Sequence, residues 1–116
     1  MVALQNTINA IRVAAADDPI YQQLKRQIAV GWPPTSAELT PELIPYHSFA
    51  DELAVCGDFV FKGHRVVVPL SYRDAILDKL HSVHIGINSC IRRARKVCFW
   101  PGITADIKQE AQLVLG

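Results

Sequence analysis

Between residues 52 and 68 the hydrophobic period of the chain changes, and that change restricts the fold more than any other feature. The stretch ELAVCGDFVFKGHRVVV holds three short β-rich runs, near 52–56, 59–62 and 65–68. Cys56-Gly57-Asp58 and Lys62-Gly63-His64 separate them as turn signals. Val66, Val67 and Val68 are β-branched, and Pro69 ends the run. A meander of this size cannot hold itself together in water and has to pack on helices. The chain on both sides of it has helical period. The fold class predicted is therefore α+β, with N-terminal helices, a small antiparallel β-meander and a C-terminal helical unit. His64 falls in a turn and is predicted to be a surface histidine.

Upstream, Leu4, Ile8, Ile11 and Ala15 recur at helical spacing and predict a helix over residues 2–16. Asp17-Asp18-Pro19 closes it. Asp18 suits a helix N-cap and Pro19 the first helical position, where its missing N–H costs nothing. A second helix then carries Ile20, Leu24 and Ile28 on one face until Gly31 stops it. Residues 31–47 hold four of the seven prolines and predict an irregular wrap with at most one helical turn. Trp32 is expected to plug this wrap against a neighbour rather than to bind anything.

Downstream, Ser71-Tyr72-Arg73-Asp74 has the spacing of a capping box, with Asp in place of Glu. It predicts a helix to about His81, with Tyr72, Ile76 and Leu80 inward and Ala75 beside them. Gly86 breaks the chain, and Asn88 or Ser89 can cap a further helix reaching about Cys98. Phe99-Trp100-Pro101-Gly102 then turns the chain, since proline cannot continue a helix and glycine permits the turn. Thr104 is placed to cap a last helix, with Ile103, Ile107, Ala111 and Val114 at core spacing. Trp100 is expected at the centre of this unit's core.

Composition narrows the function. At 116 residues, half apolar and a fifth charged, the chain has the size of one domain and the composition of a globular one. It has no apolar run long enough to span a bilayer. The start MVALQNTINAIRVAAADDP lacks the basic and apolar blocks of a signal peptide. Cys56, Cys90 and Cys98 show no pair spacing and fit a reducing compartment. Charge is uneven: residues 1–60 carry three Lys/Arg against seven Asp/Glu, residues 61–116 nine against four. Such asymmetry points to nucleic acid, with a solvated surface as the plainer explanation. No phosphate-binding glycine loop, nucleophile elbow or telling carboxylate pair occurs, so no catalytic set is assigned.

One stretch carries a pattern with chemistry. It runs Leu80-His81, His84, Gly86-Ile87, Arg93-Ala94-Arg95, Phe99-Trp100-Pro101-Gly102, Asp106-Ile107. This order resembles the zinc-binding N-terminal domain of gypsy-like retrotransposon integrases, the His-His-Cys-Cys type. The resemblance covers residues 50–110 or so. It implies two units: residues 1–49 as a helical tether with a Pro-rich loop, and residues 50–116 as the meander plus a three-helix unit of the integrase zinc-binding kind. It also implies zinc ligands at His81 and His84, and neutral imidazoles three apart suit that metal. The family's other two ligands form a C-x-x-C at the end of the last helix, near Val114 and beyond; this sequence has no such pair there. With two of four expected ligands the site is incomplete, and weak zinc binding or none is predicted. Cys90 and Cys98 cannot both substitute from one helix, because eight residues at ~1.5 Å each separate them by about 12 Å.

Arg92, Arg93, Arg95 and Lys96 cover one side of the helix predicted over residues 88–98, with Ile87, Ile91, Ala94 and Cys98 opposite. Such a basic face can neutralise DNA phosphates. The expected function is thus a non-catalytic fragment or remnant of a retrotransposon polyprotein: an accessory integrase module that contacts DNA and other integrase subunits, intracellular, nuclear or cytoplasmic, with no membrane partner. Strand transfer in the resembled family belongs to a separate domain with three carboxylates. The alternative is a metal-free, domesticated protein-interaction module.

Overall fold

A computed structural model describes residues 2–82 and 96–115, with side chains over residues 7–78 and 96–109. Helices α1 (Val2–Ala16) and α2 (Pro19–Val30) come first. A Pro-rich wrap with a 3-10 turn (Ser36–Glu38) as well as the helical turn α3 (Ile44–His47), more than the single turn expected, leads through a second 3-10 turn (Ala50–Glu52) to strands β1 (Leu53–Cys56), β2 (Phe59–Lys62) and β3 (Arg65–Val67). Helix α4 (Leu70–Ser82), a two-residue strand β4 (Cys98–Phe99) and helix α5 (Ile103–Leu115) complete the described elements. No helix among the described residues is long and apolar enough to cross a membrane.

The α+β expectation is met, and the meander falls where the turn signals place it. Strands β1, β2 and β3 pair antiparallel, with Val55 opposite Val60 and Phe61 opposite Val66. Gly57 and Gly63 each take the first central position of a two-residue turn, at φ +60° and +62°. These left-handed values are those a type II′ hairpin turn needs, and glycine reaches them without strain.

The sheet has a fourth strand that the sequence pattern does not announce. Its order is β1-β2-β3-β4, and β4 lies parallel to β3 with Val66 opposite Cys98 and Val67 opposite Phe99. The Val68 N–H donates to the Phe99 carbonyl at 2.9 Å. The helix expected to run to Cys98 therefore gives way to a strand at its end. Two causes are local. Trp100 precedes Pro101, and proline disfavours helical backbone just before it. The free edge of β3 supplies hydrogen bonds to an extended chain that a helix end would leave unmade.

Two apolar clusters organise the interior. The first joins Ala15, Tyr21 and Leu24 to Leu39, Leu43, Tyr46, Leu53, Val60 and Val67, with Trp32 and Phe49 packed against it. It thus draws on residues both before and after position 50. The second joins Val68, Ile76, Cys98, Trp100, Ile103 and Ile107. Phe99 packs against both. Ile8, placed on the inner stripe of α1 by spacing, is exposed, while Ile11 and Ala15 are buried. Trp32 plugs the wrap as expected, edge-on to His47 at 6.3 Å.

Helix starts follow the chemistry of capping, though not always with the residues expected. Asp18 caps α2: its Oδ1 accepts from the N–H groups of Ile20 at 2.9 Å and Tyr21 at 3.2 Å. Its Oδ2 accepts from the Leu70 N–H at 3.1 Å, across 52 residues. One carboxylate thus serves two helix N-termini, with its negative charge at the positive end of both dipoles. The Ser71 capping box does not form, because α4 already begins at Leu70 and this distant acid stands at its start. Thr104 likewise falls inside α5, which begins one residue earlier at Ile103.

Candidate metal and nucleic-acid site

Of the expected ligand pair, only the backbone of His81 falls within the described residues. His81 is on the last turn of α4, and its side chain is outside the described residues. His84 lies outside them altogether, as do Arg92, Arg93 and Arg95. Lys96, the last member of the basic set, is exposed. The elements on either side of them in sequence, α4, β4 and α5, are described.

Trp100 is the centre of the platform that α4, β4 and α5 form, with no exposed surface. Its indole N–H donates to Asp106 Oδ2 at 2.8 Å, so its polar atom is satisfied from the first turn of α5. Ile103 and Ile107 pack on it from the same helix and Ile76 from α4. The Arg73 guanidinium stands 5.8 Å from the indole, a cation–π distance. Arg73 Nε donates to the Val68 carbonyl at 3.1 Å, and its Nη2 lies 3.4 Å from the Tyr46 hydroxyl. This one side chain therefore ties the platform to the wrap of the first cluster. Burial raises the Tyr46 pKa, and the Arg73 charge works against that rise.

Among the described residues no group of three or more His, Cys, Asp or Glu side chains comes together. Cys98 is buried in the Trp100 cluster on β4 and packs there as a small hydrophobe. Cys56 is exposed at the end of β1. The imidazoles of His81 and His84 lie outside the described side chains, and a structural zinc site requires four ligands.

A set of cations on the sheet escaped sequence reasoning. Lys62 Nζ sits 5.2 Å from the Phe49 ring centre and 5.0 Å from that of Phe99, and Arg65 lies 5.8 Å from Phe99. Lys62 also pairs with Glu52 at 3.3 Å and is mostly covered. Lys62 and Arg65 face each other in the β2–β3 register, next to the strand that carries Phe99. Alternation along each run places single residues on a face, but the partnership with Phe99 depends on β4, which was not foreseen.

Comparison with known families agrees with this geometry. The family model of the integrase zinc binding domain matches residues 68–112. That stretch is similar to the integrase zinc binding domain, and the matched domain is not a catalytic one. It begins at the end of β3 and takes in α4, β4 and most of α5, which are the elements built around Trp100. Residues 1–67 lie outside the match. No curated protein and no solved structure matches the chain.

Proposed function

We propose that the chain is an accessory, non-catalytic module of a gypsy-like retrotransposon integrase, a fragment or remnant of the element's polyprotein, working inside the cell. The match over residues 68–112 carries this reading. The motifs around His81, His84 and Phe99-Trp100-Pro101-Gly102 support the gypsy-like assignment within it. In this role Arg92, Arg93, Arg95 and Lys96 contact DNA phosphates, and the module associates with other integrase subunits. His81 and His84 are the zinc-facing residues. Bound zinc would supply a structural cross-link between the end of α4 and its partner ligands.

A titration with duplex DNA at two salt concentrations tests the reading. Each neutralised phosphate contributes a slope of about −0.9 in log affinity against log salt, so four contacts give roughly −3 to −4. Arg93→Ala with Arg95→Ala should flatten the slope by about two. No binding at low salt, or binding unchanged in the double variant, would defeat the DNA role. The second reading, a metal-free interaction module, is favoured by the Trp100 cluster, which closes on apolar contacts and one Asp106 hydrogen bond. Elemental analysis separates the two. Zinc bound at one equivalent, with helical circular dichroism lost on chelation, would mean that further ligands complete the site.

A further inference from the structure

We propose that the groove between α1 and the start of α4 is a docking surface for a cationic amphipathic helix of a partner protein. The groove encloses about 910 Å³ and is lined from α1, the α1–α2 corner and Leu70–Tyr72. Its walls are mostly apolar. Val13 on one side is 63% exposed and Leu70 on the other 60%.

Helix α1 is the reason to expect an occupant. Its single charged residue is Arg12, and this points away to Asp58 at 3.1 Å and the Phe59 ring at 5.6 Å. The stripe Ile11 and Ala15 is already buried in the fold. The groove side is a different row: Asn9, Val13 and Asp17, with Ala10 and Ala14 beside them. These are i, i+4 rows, the ridges that pack into the grooves of another helix, and the two alanines let its axis come close. A helix so poor in charge on two faces normally has both covered.

Charge selects the partner. Asp17 stands on the rim of the groove, and Leu70 and Ser71 continue it to Asp74. Glu42 lies beyond Leu70, across a smaller cleft of about 260 Å³. These three carboxylates are exposed and make no ion pair among the described residues. Both Asp18 oxygens are held by backbone N–H groups. Arg73, the one cation lining these clefts among the described residues, is engaged by Val68, Tyr46 and Trp100. An apolar floor with an anionic rim fits a helix with one apolar face flanked by Lys or Arg. The same rim repels nucleic acid, so this surface is separate from the DNA-binding role.

The test uses the full chain and a fluorescent leucine–lysine peptide designed as an amphipathic helix. Two control peptides accompany it: a scrambled one of equal composition and a leucine–glutamate one. Saturable binding is expected, at least about tenfold tighter than for either control. Val13→Lys should weaken it about tenfold or more, since lysine preserves the helix and repels the peptide. Asp17→Lys with Asp74→Lys should weaken it about tenfold at low salt and less at high salt. Unchanged circular dichroism and melting show that each variant is folded. Equal binding of the scrambled peptide, or undiminished binding to folded Val13→Lys, would overturn the proposal. So would a concentration-dependent dimer in sedimentation that Val13→Lys dissolves, because a second copy would then occupy the groove.

Discussion

The two apolar clusters reach closure by different means. The cluster around Trp100 gathers residues from α4, β4 and α5 about one large ring, with a single hydrogen bond to Asp106. The cluster under the N-terminal helices has no fully buried residue of that size, and Trp32 packs against it only half-buried. It is held instead by polar groups acting across long sequence separations. The Tyr21 hydroxyl donates to the Val67 carbonyl at 2.9 Å and accepts from the Val60 N–H at 2.8 Å. Asp18 bridges α2 and α4. The comparison teaches that the stretch matching an integrase family has an interior centred on one anchor, while the preceding helices are fastened to it by hydrogen bonds.

Removing the anchor should have the largest effect. Trp100→Ala is expected to cost about 3–5 kcal/mol, the range for a buried aromatic, and to come close to unfolding a domain of this size. Denaturant titration followed by circular dichroism measures it. A cost below about 1 kcal/mol would remove Trp100 from the centre of the second cluster.

Tyr21→Phe tests the first cluster. It leaves the ring in place and strands a buried N–H and a carbonyl, at about 1–3 kcal/mol each, so a loss of about 2–6 kcal/mol is expected. The same hydroxyl gives the fold an alkaline limit. Burial pushes the Tyr21 pKa up to about 12, opposed in part by the hydrogen bond from Val60. A raised pKa means that the folded chain favours the neutral phenol. Its contribution is therefore complete below pH ~10 and fades as pH rises from about 10 to 12, by roughly 2–3 kcal/mol. Stability curves should drop over that window in the parent chain and drop less in Tyr21→Phe.

Asp18→Ala should cost about 1–3 kcal/mol, above the usual single cap because two helix starts lose an acceptor. Asp18→Asn should cost less, since one amide oxygen can still cap α2 while the NH2 group cannot accept from Leu70. Stability of Asp18→Asn equal to that of the parent chain would argue against the bridge to α4. At the small end, Arg12→Ala removes an exposed pair with Asp58 and a contact with Phe59, and should change stability by no more than about 1 kcal/mol.

Much of this fold is legible in the chain, for physical reasons. Asp18-Pro19 marks a helix start because both residues act on their own immediate neighbours. Gly57 and Gly63 mark hairpins because the turns need a left-handed residue. Trp100 reads as core because few sites other than an interior can take its area. What stayed hidden depends on distant partners. Strand β4 is two residues long and has no period to detect; it exists because β3 offers an edge. Tyr21 sits at a helical core position, and nothing nearby reveals that its hydroxyl serves residues 39 and 46 positions away. Of the expected site, only the backbone of His81 and the exposure of Lys96 fall within the described residues, so its ligand and phosphate contacts rest on the motif.

The bridge from Asp18 to Leu70 has a consequence for the newborn chain. At roughly 5–20 residues per second of synthesis, the 52 residues between them take about 3–10 s to appear. Tyr21 waits nearly as long for Val60 and Val67. Helix pairing proceeds in well under a millisecond, so α1 and α2 form early and then linger with their inner face bare. During that interval the apolar stripe of the emerging segment has no partner from β2, β3 or α4, and slow translation through residues 30–60 would lengthen its exposure.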